Sequence, residues 1–216
     1  AEKKAYEKVI RMISHEVNNT TAGITSTLDT LESTFSGMAD MQDVCDVLQI
    51  SIDRCYSMSR FITNFADVVR IPEPRRKPTS LNELVTSCKR FMETICMNRH
   101  IELRMELDGD LPEVEIDRSL FEQVLVNIIK NSAESIGRQG HIYIRTTAHP
   151  ICLEIGDDGK GISKETEAKL FSPFFSTKPN GQGIGLIFIR EVLQRHQCSF
   201  SLKTYADGIT RFKIWL

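Results

Sequence analysis

An excess of charge of one sign is the first thing this sequence lacks. Its 27 Lys and Arg against 29 Asp and Glu leave a net charge of -2. Phosphate-backbone binding selects a basic surface, so nucleic acid is not expected as a partner. No apolar run is long enough to cross a bilayer, and no signal peptide opens the chain. The six cysteines (Cys45, Cys55, Cys88, Cys96, Cys152, Cys198) form no CxxC pair and no Cys/His pair at metal-ligand spacing. Scattered in apolar runs, they read as free thiols of a reducing, cytoplasmic compartment. No Gly-Lys-Ser/Thr ends a glycine loop, which excludes a Walker phosphate loop. The glycines come late rather than after a first strand, which argues against a dinucleotide fold. Internal repeats and low-complexity tracts are absent as well.

What is there is an ordinary globular balance, 41% hydrophobic and 26% charged over 216 residues, enough for one or two domains. "IPEPRRKPTS", residues 71–80, holds three prolines and a basic triplet and reads as a linker with solvated charges. It separates residues 1–70 from residues 81–216. The start, "AEKKAYEKVIRM", reads as a helix already under way, so an upstream segment is expected; a membrane anchor, if the parent has one, belongs there.

In the first half Ile10, Val17, Ile24, Leu31 and Met38 recur every seven residues, with Ile13, Leu28 and Phe35 beside them. Leu48, Cys55, Ile62 and Val69 repeat the interval, flanked by Val44, Met58 and Phe65, and "SGMAD" (Ser36 to Asp40) lies between the runs as a turn. Two amphipathic helices then form an antiparallel hairpin. One hairpin buries such a stripe poorly, so a second copy is expected to cover it, giving a dimeric four-helix bundle. In the second half "SLNE" and "SLFE" read as capping boxes, Ser80 with Glu83 and Ser119 with Glu122. "IELRMEL" alternates Ile101, Leu103, Met105 and Leu107 as a half-buried strand, "HIYIRTT" and "ICLEIGD" follow as strands, and the C-terminus reads as a hairpin turning at Asp207-Gly208. The expectation is α+β: a helical hairpin, then a sheet backed by helices on one face.

Three motifs in the second half carry chemistry. In "NIIKNSAES" Asn127 and Asn131 are four apart and share a helix face, with Lys130 between them. Such a pair either holds a hard cation and phosphate oxygens or is a capped surface pair. In "GDDGKGI" Asp157, Gly159 and Gly161 follow a strand: an acceptor for an exocyclic amine beside backbone that admits a ligand closely, or a plain turn. "LFSPFFSTKPNGQGIGL" places Lys178, Gly181, Gly183 and Gly185 at the start of an apolar helix, a setting that suits an anion.

In this order, "NIIKN", "DDGKGI", "FSPFF" and "GQGIGL" resemble the N, G1, F and G2 boxes of the histidine-kinase ATP-binding domain, of the superfamily shared with gyrase, Hsp90 and MutL. "SHEVNN" resembles the phospho-acceptor H box of two-component sensor kinases. The resemblance spans nearly the whole chain. It implies an α/β sandwich binding ATP on its helical face, with Asn131 as Mg²⁺ ligand and Asn127 and Lys130 near the phosphates. Asp157 would receive the adenine amine in a pocket shaped by Gly159 and Gly161. Lys178, Gly181, Gly183 and Gly185 would line the triphosphate under a lid running from about Ser163 to Gly181.

On the same basis His15 would be the phospho-acceptor. With Ile10, Val17 and Ile24 at a positions and Ile13 at d, His15 falls at f, away from the seam. Glu16 would take the proton of the other ring nitrogen, and Asn19, one turn on, would orient a water for phosphatase action on a partner aspartate. The partners implied are a second copy of the chain and the receiver domain of a response regulator. Thr20 stands where many H boxes have proline, and Glu134 and Ser135 where many members have Lys-Tyr. The competing reading is a nucleotide-binding scaffold without kinase turnover. An Hsp90-like ATPase is disfavoured by the His-Glu pair on the hairpin.

Overall fold

The computed structural model describes residues 2–36, 38, 41–69, 71–172 and 184–216. It divides into a unit that runs through Ile71 and a second that takes over at Pro72. The first is a hairpin of α1 (Glu2–Phe35) and α2 (Gln42–Val69). The helices run antiparallel: Asn18 bonds Ser59 and Thr63, while Glu32, further along α1, accepts from Cys45 at the start of α2.

The seam inside this hairpin uses only part of the apolar stripe. Among the described side chains, those buried are Ser14, Thr21 and Thr25 on α1 and Ile52 and Ala66 on α2. Ile13, Ile24 and Leu31 stay exposed, Ile24 by 48%. Ile24 and Leu31 lie three residues beyond Thr21 and Leu28, so about 60° round the helix they face away from α2. On α1 small hydroxyl side chains are thus the most deeply buried, while the heptad hydrophobics divide between half-buried (Val17, Leu28, Phe35, Leu48, Cys55, Ile62) and exposed positions. Ile10, Phe65, Val69 and Asp40 lie where side-chain detail falls outside the described residues.

The second unit contains, in chain order, β1 (Lys77–Thr79), α3 (Leu81–Met97), β2 (Ile101–Glu106), β3 (Val114–Ile116), α4 (Arg118–Ile136), β4 (Gly140–Ala148), β5 (Ile151–Asp157), α5 (Lys164–Glu167), α6 (Ile184–Arg195), β6 (Ser199–Thr204) and β7 (Thr210–Trp215). Five strands form one sheet in the order β2-β4-β5-β7-β6, parallel between β2 and β4 and antiparallel elsewhere. Alternation dictates the buried face: Ile142, Ile144, Thr146 and Ala148 on β4, and Thr210, Phe212 and Ile214 on β7, are buried. Against them stand Leu120, Phe121, Val124, Leu125, Ile128 and Ile129 of α4, with α3 packed beside it. The result is a helix-on-sheet sandwich. The C-terminal hairpin turns as expected, with Gly208 at φ +80°.

Two local expectations need correction. Ser80 does cap α3, accepting from Glu83 N–H at 3.3 Å, but Ser119 does not cap α4. Asp117 does, in extended backbone, accepting from Leu120 N–H at 3.2 Å. A carboxylate at a positive helix end outcompetes a hydroxyl two residues inside it. Segment 71–80, read as linker, is docked from Pro72 onward. Arg75 N–H donates to the second Asp117 oxygen at 2.9 Å, the Arg76 guanidinium donates to the Arg195 carbonyl at the C-terminal end of α6, and β1 pairs with β3. The basic triplet therefore spends one charge on a helix C-terminus, where a cation is favoured.

Candidate functional site

On the hairpin, His15, Glu16 and Asn19 are all exposed on α1, one turn wide, and Val17 and Asn18 are half-buried. His15 follows the buried Ser14, so α1 presents the imidazole at the flank of the seam rather than inside it. Asn18 makes the local tie: its Nδ2 donates to Thr63 Oγ1 at 3.2 Å, and Ser59 Oγ donates to its Oδ1 at 2.9 Å.

In the second unit the site grows from the C-terminal end of β5, where the strand delivers Asp157 to the helical side, 5% exposed. The Gly159 N–H donates to its Oδ1 at 3.1 Å, and the Ser132 and Ser135 hydroxyls of α4 hydrogen-bond the carboxylate. Burial pushes this carboxyl above the usual range. The Gly159 N–H and the two hydroxyls work against that shift, while Asp158 adds to it. Asp158 goes the other way. Burial raises it, but the His141 N–H and the His141 ring, each 2.7 Å away, outweigh burial and hold it low. Adjacent carboxyls thus meet opposite surroundings, one paired with an imidazole and the other buried against α4 hydroxyls.

The turn after Asp157 is pressed onto α4. A Cβ on Gly159 would stand 2.4 Å from Ser135 Oγ, 2.6 Å from Ser135 C and 2.7 Å from Ile136 N, and the Lys160 N–H reaches the Ser135 carbonyl at 3.3 Å. Gly161 takes φ +76°, with Thr204 against it. Thr204 Oγ1 accepts from Ile162 N–H at 2.8 Å and meets Thr210 Oγ1 at 2.9 Å. Thr210, buried, pairs across the sheet with Asp157.

This arrangement brings the "NIIKN" helix and the "DDGKG" turn into contact. Asn127 and Asn131 are half-buried on α4 and Lys130 is exposed between them. Gly185 lies inside the first turn of α6, with open space where its Cβ would point. Lys178, Gly181 and Gly183, with "FSPFF" from Pro173 on and the expected lid from that point, lie outside the described residues. Ser132, Ser135, Thr204 and Thr210 carry part of the site and are not in the motif reading. Ser132 and Ser135 had one available signal, two hydroxyls three apart following Asn131 on one helix face.

An ionised carboxylate only accepts, with about four positions; at Asp157 the Gly159 N–H and the two serine hydroxyls take up some of them. Among the described residues no group of three or more His, Cys, Asp and Glu is placed to hold a metal. A hard cation here would be met by amide oxygens of the Asn127–Asn131 face together with phosphate oxygens, a donor set that suits Mg²⁺.

Residues 116–216 match the family described as histidine kinase-, DNA gyrase B-, and HSP90-like ATPase. Among curated proteins the chain is similar to the sensor histidine kinase ZraS of Salmonella typhimurium, 24% identical over 99% of this chain and 47% of that one. It is also similar to the signal transduction histidine-protein kinase AtoS of Escherichia coli, 30% identical over 86% of this chain and 30% of that one. A third relative is the sensory histidine kinase/phosphatase NtrB of Rhodobacter capsulatus, 25% identical over 95% of this chain and 60% of that one. The chain thus spans about half the length of the curated relatives it matches, 47% of ZraS. Among solved structures, the catalytic domain of histidine kinase ThkA covers 65% of this chain and 93% of its own, at 28% identity and TM-score 0.58. Full-length ShkA in complex with AMPPNP covers 96% of this chain and 45% of its own at TM-score 0.70; at 16% identity that likeness is one of fold.

Proposed function

We propose, from the premise that this chain is a histidine-kinase catalytic core whose residues 116–216 belong to the histidine kinase-, DNA gyrase B- and HSP90-like ATPase family, that it phosphorylates itself on His15 from ATP. The phosphoryl group then passes to an aspartate of a response-regulator receiver domain. One observation carries the reading: a single chain holds an exposed His15–Glu16 pair on a helical hairpin and, in a separate unit, a buried amine acceptor at Asp157.

Asp157 accepts the adenine amine, and Gly159 and Gly161 shape that pocket by letting the turn pack against α4 and Thr204. Asn131 holds Mg²⁺, Asn127 and Lys130 meet phosphate oxygens, and Lys178, Gly181, Gly183 and Gly185 complete the triphosphate side. ATP supplies the γ-phosphoryl group. His15 attacks γ-phosphorus in line through one ring nitrogen while Glu16 holds the proton at the other. An N–P bond forms, the bond to the β-phosphate oxygen breaks, and ADP leaves with that electron pair. Asn19 orients a hydrolytic water when the same face acts as a phosphatase. NtrB carries both activities in its name, which supports the pairing without extending it.

The domains proposed are a dimerisation and phosphotransfer hairpin over 1–70, a connecting segment over 71–80, and a nucleotide domain over 81–216. The exposed stripe of Ile13, Ile24 and Leu31, with Val44, Val47 and Met58 on α2, supports a second copy as its cover. A ThkA structure holds a response regulator in complex, which supports a receiver domain as the other partner. No described helix is long and apolar enough to cross a membrane. The proposed setting is cytoplasmic, where the six cysteines, all free thiols here, stay reduced.

The test is incubation of the purified chain with γ-labelled Mg-ATP. Acid-labile, base-stable label that disappears in His15→Ala establishes the phosphohistidine. Tight Mg-ATP binding without label overturns the kinase in favour of a nucleotide-binding scaffold.

A further inference from the structure

The α1–α2 seam carries polar groups where His15 is presented. Among the described side chains, Ser14, Thr21 and Thr25 are buried on α1, and the Thr25 hydroxyl bonds back to the Thr21 carbonyl at 2.9 Å rather than across to α2. Apolar contact comes from Ile52 and Ala66 of α2, with Val17 and Ile62 half-buried, so polar and apolar groups share the seam. Beside His15, Asn18 bonds across to α2. Its Nδ2 donates to Thr63 Oγ1 at 3.2 Å, its Oδ1 accepts from Ser59 Oγ at 2.9 Å, and the Thr63 hydroxyl donates in turn to the Ser59 carbonyl at 3.0 Å. The amide thus grips two successive turns of α2 with both of its ends.

On α1, Asn18 lies three residues after His15, about 60° to one side of it, and Asn19 lies about 40° to the other. Whatever sets the azimuth of Asn18 sets that of His15 within one turn. An amide at a helix seam is a poor source of stability but a strong source of register, since only one alignment satisfies donor and acceptor together. A shift of either helix by a fraction of a turn would leave a half-buried amide unpaired.

We infer that Asn18, clamped by Ser59 and Thr63, is a positioning residue that fixes the rotation and register of α1 so that His15 is presented for phosphoryl transfer. The inference rests on the kinase reading above and adds a residue with no contact of its own to ATP. It separates two properties that a packing role would tie together, because filling the seam with carbon should preserve or strengthen the hairpin while releasing the register.

The experiment compares wild type, Asn18→Leu, Thr63→Val and Thr63→Ser in the full chain. It reads the initial rate of phosphohistidine formation against ATP concentration, together with hairpin melting by circular dichroism. Expected for Asn18→Leu is a kcat about tenfold lower with KM for ATP within about twofold of wild type, and a melting temperature no lower than wild type. Thr63→Val, isosteric and on an exposed position, should lose kcat in the same direction by about threefold, and Thr63→Ser, which keeps the hydroxyl, should restore it. Asn18→Leu or, where that chain does not fold, Thr63→Val with kcat within twofold of a labelling wild type overturns the positioning role alone. Loss of kcat only in proportion to loss of melting temperature also overturns it, as a stability effect. A wild type that binds Mg-ATP yet forms no phosphohistidine overturns the kinase reading and, with it, this role.

Discussion

Asp157 and Asp158 are neighbours in the chain and opposites in chemistry, and the difference is tertiary. Asp157 is displaced upward by burial, so its ionised form costs the folded domain stability at neutral pH. The sign follows from proton counting. A raised folded-state pKa means the folded protein binds more protons than the unfolded chain between the two values, so stability falls as pH rises through that window. Asp157→Asn should therefore melt higher than wild type at pH 7.5 without nucleotide, the gain vanishing below the ordinary carboxylate range. The same variant should bind ADP at least about 10- to 100-fold more weakly, because an amide cannot replace an ionised acceptor; calorimetry checks both halves. In the wild type, nucleotide affinity should fall on acidification and begin to do so above the usual carboxylate range. His196 gives the converse case. It is buried, with Nδ1 on the Val192 carbonyl at 2.7 Å and Nε2 accepting from the Asp117 N–H at 3.0 Å, so the ring is neutral with its proton on Nδ1. Burial lowers its pKa, hence stability present at pH 7.5 is lost as pH falls through the ordinary histidine range toward the lower folded value. A melting series from pH 7.5 to 5.5 should show that slope, and His196→Gln should flatten it. At this scale the motif reading singles out Asp157 as a residue but says nothing of its protonation, which depends on burial.

Elements are where spacing speaks most clearly and also where it misleads. The amphipathic periods of α1 and α2, the alternation of β2 and the Asp207-Gly208 hairpin are all legible because each follows from a local repeat. Caps are less so: Ser119 and Glu122 have capping-box spacing, yet Asp117 takes the position because it also serves the Arg75 N–H. At α3 the cap is as read, and Ser80→Ala should cost about 1 kcal/mol of domain stability, measured by denaturant melting. The G1 turn offers a sharper test. A methyl on Gly159 would meet Ser135 and Ile136 backbone at 2.6–2.7 Å, which only movement of the turn away from α4 can relieve. Gly159→Ala should weaken ADP binding about tenfold or more at a stability cost of about 1–3 kcal/mol. An unchanged affinity would mean that the turn does not shape the pocket.

For the whole molecule, the exposed apolar stripe on the hairpin is the feature a single copy leaves unfinished. Ile24→Glu or Leu31→Glu places a charge on that stripe, away from the intramolecular seam, and should convert a dimer to monomer in sedimentation equilibrium while leaving ADP affinity within about twofold. The order of the boxes, the division into hairpin and sandwich and the family are readable from the chain alone, because they rest on residue type and interval along a line. The chain alone does not distinguish which face of a heptad helix meets its own partner helix. Ile24 is a seam candidate by period, yet it is exposed while Thr21, three residues earlier, is buried, because α2 approaches from that side. Nor does the line show that Ser132 and Ser135 serve Asp157, more than twenty residues ahead, or that Thr210 sits across the sheet from it. Local periodicity is encoded by neighbours in sequence, whereas the protonation of a carboxyl, the use of a hydroxyl and the choice of a seam depend on which distant surfaces exclude water around them, and tertiary packing alone decides that.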